Sequence, residues 1–243
     1  MEQRLQACKT CMERVRPENK NEKNEKRKMI EVSKASVKMD GRLLFSGLSF
    51  AVEEGRMVCV SGGSGCGKTT LLRAVLGFMP LLEGHISIFG ELLTPSSAVE
   101  FRRHMSYLPQ ELAFPVDSVR EMVELPFLLK VNKNVRFSKD RLMEEWARLD
   151  LDAGLYDKKM SEISGGQRQR IALSVCGLLR KPIFIADEPT SALDVNSSAL
   201  AAEYIRRMAS RGCAALLVSH DTAFAEMCDK RVIIGETHND NGL

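Results

Sequence analysis

Four glycines, a lysine and two threonines lie within the stretch SGGSGCGKTT, residues 61–70. Residues without side chains allow another group to approach the backbone closely. The segment GGSGCGKT fits the spacing G-x-x-x-x-G-K-[ST], whose successive backbone N–H groups surround phosphate oxygens. The pattern therefore predicts a phosphate-binding loop. Its expected binding residues are Gly62, Gly63, Ser64, Gly65, Cys66, Gly67, Lys68, Thr69 and Thr70.

The last side chains of this stretch supply a charge and a metal ligand. We expect Lys68 to reach the β- and γ-phosphate oxygens and the Thr69 hydroxyl to coordinate Mg²⁺. The apolar run MVCV before the loop predicts a short buried strand, and residues 68–76 predict a helix. A loop between a strand and a helix places the phosphates at the positive end of the helix dipole.

A second group of candidate catalytic residues follows the apolar segment IFIA. Asp187 and Glu188 stand at the end of this predicted strand, where parallel sheets place their ligands. We expect Asp187 to hold Mg²⁺ through a water molecule. Glu188 is then positioned to orient or deprotonate the water that attacks the terminal phosphate. Together with the glycine-rich loop, the pair predicts hydrolysis of a nucleoside triphosphate.

A third motif, Ser164-Gly165-Gly166-Gln167, stands about twenty residues before the acidic pair. Serine is a favoured N-cap, and two glycines let a ligand approach the backbone, so the motif predicts a second anion site at a helix start. With the basic and glutamine residues that follow, it resembles the LSGGQ signature of the ABC ATPase family. Ile163 replaces the leading leucine.

The resemblance to the ABC ATPases extends over about residues 30–235, in the family's order and spacing. Gln110 in YLPQ resembles the Q-loop, Asp194 in SALD the D-loop, and His220 in VSHD the switch histidine. These matches imply that Gln110, His220 and Lys68 assist Glu188 in catalysis. They also imply that Gln110 helps to hold Mg²⁺ and that Asp194 lies beside the nucleotide.

The resemblance further implies a nucleotide site shared between two chains. In this family two cassettes pair head to tail, so that Ser164 and Gly166 of one subunit contact the γ-phosphate bound by the other. Gly165 and Gln167 belong to the same motif. ATP is therefore expected to hold a homodimer together, and its hydrolysis to release the dimer.

One position departs from the family pattern. The family carries an aromatic residue that stacks on adenine, about sixteen positions before the glycine that precedes the first core strand. Counting back from Gly55 leads to Met39. Met39 or Val37 is therefore expected to pack on the base, with weaker stacking and looser discrimination among bases.

The elements that must position these residues alternate between strand and helix. Strands are predicted at residues 58–61, 106–108, 183–186 and 215–219, and helices at residues 68–76, 164–179 and 196–210. This alternation indicates an α/β fold with a mostly parallel core sheet covered on both faces. The resemblance adds an antiparallel β subdomain and a helical subdomain at about residues 111–180.

Composition excludes several other classes of protein. Residues 1–28 hold 9 basic and 5 acidic side chains of the totals of 35 and 32, which leaves 26 and 27 in the rest. This near-neutral remainder argues against nucleic-acid binding. The longest apolar runs are far shorter than the ~20 residues of a membrane helix. The amino terminus lacks the apolar segment of a secretory signal, so we expect a cytosolic chain with reduced cysteines.

The first 28 residues differ from the rest of the chain. They are charged and without apolar periodicity, so they are predicted to be disordered or a non-native-start extension of a domain at residues 29–243. Cys8 and Cys11 form a CxxC pair. A zinc site needs about four ligands, and no second pair or nearby histidine supplies the others. We therefore expect a tail without a metal.

The resemblance implies the ATP-binding and ATP-hydrolysing subunit of a bacterial ABC transporter, peripheral at the cytoplasmic face of the inner membrane. Its membrane domains are expected to be separate polypeptides that dock on the helical subdomain, within residues 110–164. The compact cassette is similar to small export-type systems, including those for iron. The candidate groove residues are Leu112, Phe114, Met122, Phe127 and Leu128.

An alternative from a different class is a soluble ABC ATPase of a cofactor assembly complex, as in iron–sulfur cluster assembly. Co-purification distinguishes the two hypotheses. A transporter subunit binds an integral membrane protein, whereas an assembly ATPase binds cytosolic scaffold subunits.

Overall fold

The computed structural model describes residues 27–113 and 115–235. The expectations for residues 1–26, including Cys8 and Cys11, and for Phe114 lie outside the described residues. The strands are β1 (Lys28–Met39), β2 (Arg42–Glu53), β3 (Met57–Gly62), β4 (Glu83–Ile88), β5 (Glu91–Leu92), β6 (Met105–Leu108), β7 (Ile183–Asp187), β8 (Ala214–Val218) and β9 (Lys230–Ile234). The α-helices are α1 (Lys68–Val75), α2 (Ala98–Arg102), α3 (Val119–Leu128), α4 (Lys139–Arg148), α5 (Gly165–Leu179), α6 (Val195–Ser210) and α7 (Thr222–Glu226). Short 3₁₀ helices occupy Lys130–Asn132, Ala153–Asp157 and Met160–Glu162.

Five strands form a parallel sheet in the order β6-β7-β8-β3-β9. Its inner strands β7 and β8 are buried along their whole length, which is why their sequences are continuous apolar runs and do not alternate. The predicted parallel core sheet is confirmed. Because all five strands run in one direction, the loops that follow them meet at one edge, the usual ligand-binding edge of such sheets.

A second sheet is antiparallel and has the order β2-β1-β4-β5. Asp40 and Gly41 form the tight turn between β1 and β2, with φ of 50° and 80°. Both angles lie in the left-handed region that an Asp-Gly hairpin turn requires. One apolar core joins this sheet to α1 and to one face of the parallel sheet, and includes Ile30, Leu71 and Ile185.

The other face of the parallel sheet packs against the remaining helices. This second core includes Phe184, which precedes Ile185 in β7, so successive strand residues enter opposite cores. Trp146 of α4 is buried here, and its Nε1 donates a hydrogen bond of 3.1 Å to Ser174 Oγ. The Ser174 hydroxyl in turn donates to the Ile171 carbonyl at 2.7 Å. This chain of hydrogen bonds fastens α4 to α5.

Two of the five candidate groove residues belong to this core. Met122 and Phe127 are buried, because they lie on the face of α3 that packs against the other helices. Leu112 packs partly against the same core, whereas Leu128 is 78% exposed. Of the candidate groove residues, Met122 and Phe127 are therefore core residues. The structure instead exposes an apolar patch at the end of α3, consisting of Leu125, Leu128, Leu129 and Val131.

The helices are short for a bilayer. Among the described residues the two longest helices, α6 and α5, have 16 and 15 residues, and a membrane span needs about 20. Accordingly, no helix within residues 27–113 and 115–235 is long and apolar enough to cross a membrane.

Candidate functional site

The phosphate loop, residues 62–67, connects the end of β3 to the start of α1. A side chain has no room at either end of this loop. A Cβ on Gly62 would collide with the carbonyl oxygen of Ile234, and a Cβ on Gly67 would lie 3.0 Å from Phe45 Cδ1. Gly67 also has φ of +102°, which favours glycine. The loop therefore packs against β9 on one side and β2 on the other.

Lys68 begins α1 and folds its ammonium group back over the loop. Its Nζ donates hydrogen bonds of 2.9 Å to the carbonyl oxygens of both Gly62 and Gly63. The first turn of α1 contains no acidic residue that would compete with an anion. The lysine charge thus lies where a phosphate group can replace the loop carbonyls as its partner.

Asp187 is the last residue of β7, and only 2% of it is exposed. Its Oδ1 has no hydrogen-bond partner, an unusual state for a buried carboxylate oxygen. Burial raises the pKa of Asp187, while the neighbouring Thr69 side chain and the Lys68 charge act in the opposite direction. A buried, unpaired carboxylate oxygen next to a hydroxyl group fits a hard cation such as Mg²⁺, which prefers oxygen ligands.

Glu188 and His220 form a pair at the same edge. His220 Nδ1 lies 2.9 Å from Glu188 Oε2, and the backbone N–H of His220 is 3.4 Å from the same oxygen. The Glu188 side chain is 8% exposed, whereas that of His220 is 69% exposed. A buried carboxylate is therefore oriented by an imidazole that also reaches solvent. This arrangement suits a base that acts on water.

Gln110 lies just beyond the end of β6 and is exposed. β6 pairs in parallel with β7, and Leu108 is opposite Ala186. Gln110 is therefore placed at the carboxyl edge of the sheet, beside the strand that ends in Asp187. Tyr107 lies on the same strand end, and burial together with the Asp187 charge raises the pKa of Tyr107.

The predicted N-cap of α5 is confirmed. Ser164 Oγ accepts a hydrogen bond of 3.1 Å from the Gln167 N–H, and Gln167 Oε1 accepts one of 2.9 Å from the Ser164 N–H. This reciprocal pair is a capping box. Ser164 and Gly165 are exposed. Among the described residues, no hydrogen bond or ion pair joins residues 164–167 to residues 61–70. One chain therefore does not bring its two predicted anion sites into contact.

Gln169 connects this motif to the acidic pair, and the sequence analysis did not identify it. The side chain is buried, its Nε2 donates 2.9 Å to the Glu188 carbonyl, and its Oε1 accepts 3.2 Å from the Ala192 N–H. A Cβ on Gly166 would lie 2.9 Å from the Ala192 carbonyl oxygen. The start of α5 thus packs directly on the segment after Glu188. A second glutamine after SGGQ was the only signal in the sequence, and its type does not reveal burial.

Asp194 is the N-cap of α6 and is exposed. It accepts hydrogen bonds from the Ser197 N–H at 2.9 Å and from the Ser197 hydroxyl at 2.8 Å. These hydrogen bonds hold the pKa of Asp194 below its usual range. Within one chain Asp194 therefore acts as a helix cap. Its role beside a nucleotide stays a prediction.

Met39 lies at the end of β1, next to the hairpin turn, and is 43% exposed. Val37, the other residue expected to pack on the nucleotide base, is 1% exposed and belongs to the core. The partner strand of this hairpin contributes Phe45, which contacts the Gly67 position of the phosphate loop. Of the two candidates, Met39 is thus the one whose side chain is exposed to a ligand.

A cavity of about 330 Å³ lies beside the phosphate loop. Its lining residues are Ser61, Gly62, Gly63, Cys66, His220, Arg231, Ile233, Ile234 and Gly235. Arg231 Nε donates a hydrogen bond of 2.7 Å to the buried Ser61 hydroxyl. A permanent positive charge therefore stands next to the loop. Sequence reasoning missed Arg231, because a single arginine on an edge strand belongs to no motif.

Comparison with known proteins agrees with this geometry. The ABC transporter family profile matches residues 45–191. The Fe(3+) ions import ATP-binding protein FbpC 1 of Pectobacterium atrosepticum is 32% identical over 87% of this chain and 59% of its own length. The spermidine/putrescine import ATP-binding protein PotA of Mycoplasma mycoides subsp. mycoides is 29% identical over 85% of this chain and 58% of its own. The chain spans about three fifths of the length of these relatives.

Solved structures show the same fold. The dimeric structure of a bacterial ABC transporter cassette superposes with a TM-score of 0.73 at 24% sequence identity, and the match covers 85% of this chain and 94% of that one. The likeness supports the α/β cassette architecture predicted from the sequence, with a parallel core, an antiparallel sheet and packed helices.

Proposed function

This chain belongs to the ABC transporter family, and from that premise we propose that it binds and hydrolyses ATP to drive a transporter whose membrane-spanning part is a separate polypeptide. One observation carries the proposal. The parallel sheet brings the phosphate loop with Lys68, the buried Asp187 and the Glu188–His220 pair to one edge. A triphosphate on the loop would therefore have a cation site and a base beside its terminal phosphate.

Each side chain at this edge has a distinct task when ATP is bound. The loop amides and Lys68 hold the β- and γ-phosphates. Glu188 orients the attacking water and accepts its proton, and His220 fixes the direction of the Glu188 carboxylate. This assignment uses the contacts that the structure already shows between Glu188 and His220.

A divalent cation completes the site in this proposal. Thr69, Asp187 and Gln110 would hold Mg²⁺, which neutralises charge on the transferring phosphate. The unpaired Oδ1 of Asp187 supports this assignment. No three His, Cys, Asp or Glu side chains converge as a metal site anywhere in residues 27–113 and 115–235. The proposed ligand set therefore depends on phosphate oxygens, so the metal enters together with the nucleotide.

The second anion site supports a head-to-tail homodimer. Ser164 and Gly165 are exposed at the start of α5, and no hydrogen bond ties their motif to the phosphate loop of the same chain, as far as residues 27–113 and 115–235 show. A second copy can therefore present its capping motif to the γ-phosphate bound here. Asp194 and the segment that packs on Gly166 would lie at the same interface.

The exposed apolar patch at the end of α3 is the surface that we assign to the membrane partner. Leu125, Leu128, Leu129 and Val131 are 43–78% exposed, and clustered apolar side chains on a surface mark an interaction site. In this proposal the patch docks on the cytoplasmic side of the membrane protein, which makes the chain peripheral to the membrane.

Cargo and direction are assigned to the membrane partner. The two relatives named above are import proteins, one for Fe(3+) ions and one for spermidine/putrescine. Similar cassettes thus serve chemically different cargoes. Neither relative is described as an export subunit or as an ATPase of iron–sulfur cluster assembly, so we do not retain the assembly alternative.

A direct test is Mg²⁺-dependent ATPase activity of the purified chain and of Lys68→Ala. The variant should lose nucleotide binding and hydrolysis, because the charge over the loop is removed. The exposed Lys133→Ala serves as the matched control and should behave as the wild type. Equal activity of the Lys68 variant and the wild type would reject this site.

The transport role needs a separate test. The chain is used to capture partners from detergent-solubilised membranes of its source cells, in parallel with Leu128→Glu. An integral membrane protein bound by the wild type and lost in the variant is expected. Capture of soluble scaffold proteins alone would contradict the transport role and leave the ATPase result intact.

A further inference from the structure

The cavity of about 330 Å³ beside the phosphate loop is a compartment next to the proposed seat of the triphosphate. It shares His220 and the backbone of Gly62 and Gly63 with the ATP site. The side chains that we assign to the phosphates, the metal ion and the attacking water do not line it, namely Lys68, Thr69, Gln110, Asp187 and Glu188. His220 therefore stands in the wall between the two spaces.

Arg231 reaches this cavity from β9, at the edge of the parallel sheet. Its Nε donates a hydrogen bond of 2.7 Å to the hydroxyl group of Ser61, the residue before the first glycine of the loop. Ser61 is buried, whereas Arg231 is exposed. Neither Nη1 nor Nη2 of Arg231 has a hydrogen-bond partner among the described residues. The bond at Nε thus fixes the guanidinium group and leaves its two outer nitrogens to donate to a ligand.

The charge of Arg231 also lacks a carboxylate partner within the part of the chain that the structure describes. The acidic residue nearest to it in sequence, Asp229, already pairs with Arg56 at 3.0 Å and with Arg206 at 2.6 Å. None of the residues that line the cavity is acidic. An unpaired guanidinium group between uncharged walls attracts an anion, and its planar shape matches phosphate oxygens through two parallel hydrogen bonds.

ATP hydrolysis produces such an anion beside this cavity. His220 lines the cavity and also contacts the proposed base, with its Nδ1 at 2.9 Å from Glu188 Oε2. The cavity thus begins next to the reacting phosphate and extends to the exposed Arg231. At about 30 Å³ for each water molecule, its volume accommodates an orthophosphate ion together with part of the hydration shell.

We propose that this cavity is a binding site for orthophosphate, in which Arg231 holds the phosphate cleaved from ATP before it leaves for solvent. The source of the phosphate rests on the proposed function. The binding of a tetrahedral oxyanion depends only on the cavity, so phosphate supplied from solution should occupy the same place. Two experiments on the full chain separate these two statements.

The first experiment needs no nucleotide. Thermal unfolding is measured in increasing inorganic phosphate and in chloride of equal ionic strength, because a ligand that binds the folded state raises the melting temperature. Lys68→Ala removes the charge over the phosphate loop and serves as the background. Phosphate should stabilise this variant saturably, and adding Arg231→Met should abolish the saturable part. Adding Arg141→Met, a change at an exposed arginine of α4, should leave it intact.

Each variant is compared with itself in chloride, so a loss of stability at Ser61 does not alter the result. The double variant also measures the general stabilisation that phosphate exerts as a salt. Arg231→Lys keeps the charge without the planar pair of donors, so it should bind phosphate more weakly than arginine and more tightly than methionine. Saturable stabilisation that is equal with and without Arg231 would overturn the site.

The second experiment connects the site with hydrolysis. Initial ATPase rates are measured with added inorganic phosphate in the wild type, Arg231→Met and Arg141→Met. Losing charge-assisted hydrogen bonds should weaken inhibition by phosphate about tenfold in Arg231→Met alone. Its KM for ATP should stay near the wild-type value, because Lys68 and the loop amides still hold the triphosphate. A KM that rises by the same factor would place Arg231 at the triphosphate and overturn a separate phosphate site.

The two experiments fail in distinguishable ways. Equal inhibition by phosphate in Arg231→Met and the wild type would refute the role in product release, while the stabilisation measurements still report on binding. Absence of ATPase activity in the wild type, with stabilisation by phosphate that depends on Arg231, would count against the proposed function and support a site for phosphate from solution.

Discussion

At the residue scale, the proposed base is held in an uncommon backbone conformation. Glu188 has φ of 51°, in the left-handed region that residues with a Cβ rarely adopt. Its N–H donates 2.9 Å to the Val218 carbonyl, and its own carbonyl accepts from Gln169 and Ser191. These partners hold a conformation that costs about 1–3 kcal/mol. The turn places the Glu188 carboxylate against His220.

Glu188→Gln should keep ATP binding and reduce hydrolysis by about 100-fold or more, because the amide can still hydrogen-bond water but cannot accept its proton. Glutamine has the same shape, so the backbone conformation should persist. In the presence of ATP the variant should elute as a dimer on size exclusion. Glu203→Gln, an exposed change on α6, is the control. Hydrolysis near the wild-type rate would show that Glu188 is not the base.

Asp187→Asn should raise thermal stability while abolishing Mg²⁺-dependent hydrolysis. Burial raises the pKa of Asp187, so the ionised carboxylate opposes folding, and its penalty is complete only above the folded-state pKa. The gain in melting temperature should therefore be larger at pH 7 than at pH 4, at about 2–4 °C for each kcal/mol relieved. Calorimetry at the two pH values checks this. A lower melting temperature at pH 7 would mean that the charge is well compensated.

Met39→Tyr should tighten ATP binding by about 0.5–1.5 kcal/mol, the contribution of a stacked aromatic pair. The wild type should bind ATP and GTP with similar affinity, because a flexible thioether reads no base edge. Val99→Tyr adds an aromatic ring to another exposed position and should change neither affinity. Titrations of the wild type and both variants with ATP and with GTP test this prediction. A strong ATP preference in the wild type that the substitution leaves unaltered would show that a residue other than Met39 contacts the nucleotide base.

At the element scale, the start of α5 acts as a rigid connection between the two predicted anion sites. Gly166 packs against the Ala192 carbonyl, and the buried Gln169 binds both Glu188 and Ala192. Gly165, one residue earlier, is different, because a Cβ there would lie 3.9 Å from Ala192 Cβ, an ordinary contact. The fold therefore requires a residue without a side chain at position 166, whereas it leaves room for a Cβ at position 165.

Gly166→Ala should lower the melting temperature, whereas Gly165→Ala should leave it unchanged or raise it, since alanine favours a helix over glycine by up to about 1 kcal/mol. The added methyl group at position 166 must displace the segment that follows Glu188. Thermal unfolding of both variants without nucleotide separates this packing effect from any effect on a dimer. Equal melting temperatures would show that the segment after Glu188 can move aside without loss of stability.

The elements that carry motifs were predictable, and their mutual contacts were not. The sequence predicts α5 with its Ser164 cap, and it predicts β7 to within one residue, because caps and apolar runs are local signals. The long hairpin of β1 and β2 gives a weaker signal in the sequence, because register shifts interrupt its alternation. Gln169 and Arg231 bind residues distant in sequence, and only the folded sheet brings these partners together.

At the scale of the whole molecule, the strand order of the parallel sheet determines which distant parts of the chain come together at the nucleotide site. β3 lies between β8 and β9, and Met57 is opposite Ala215 while Val60 is opposite Val232. β3, which leads into the phosphate loop, is thus separated from its two partner strands by 158 residues (Met57 to Ala215) and 172 residues (Val60 to Val232) of sequence. Between them the chain completes the antiparallel sheet, the packed helices and the acidic pair.

This order has a consequence during synthesis. A ribosome that adds about 5–20 residues per second needs roughly 10–30 seconds to reach β8 after it has made β3. During that interval the apolar β3 lacks both of its partner strands. Chaperones are expected to bind such an exposed apolar segment. A messenger cut short before β8 therefore yields a fragment without a formed phosphate loop. The nucleotide site forms only after β8 and β9 have been made, so chains that stop before β8 should not hydrolyse ATP.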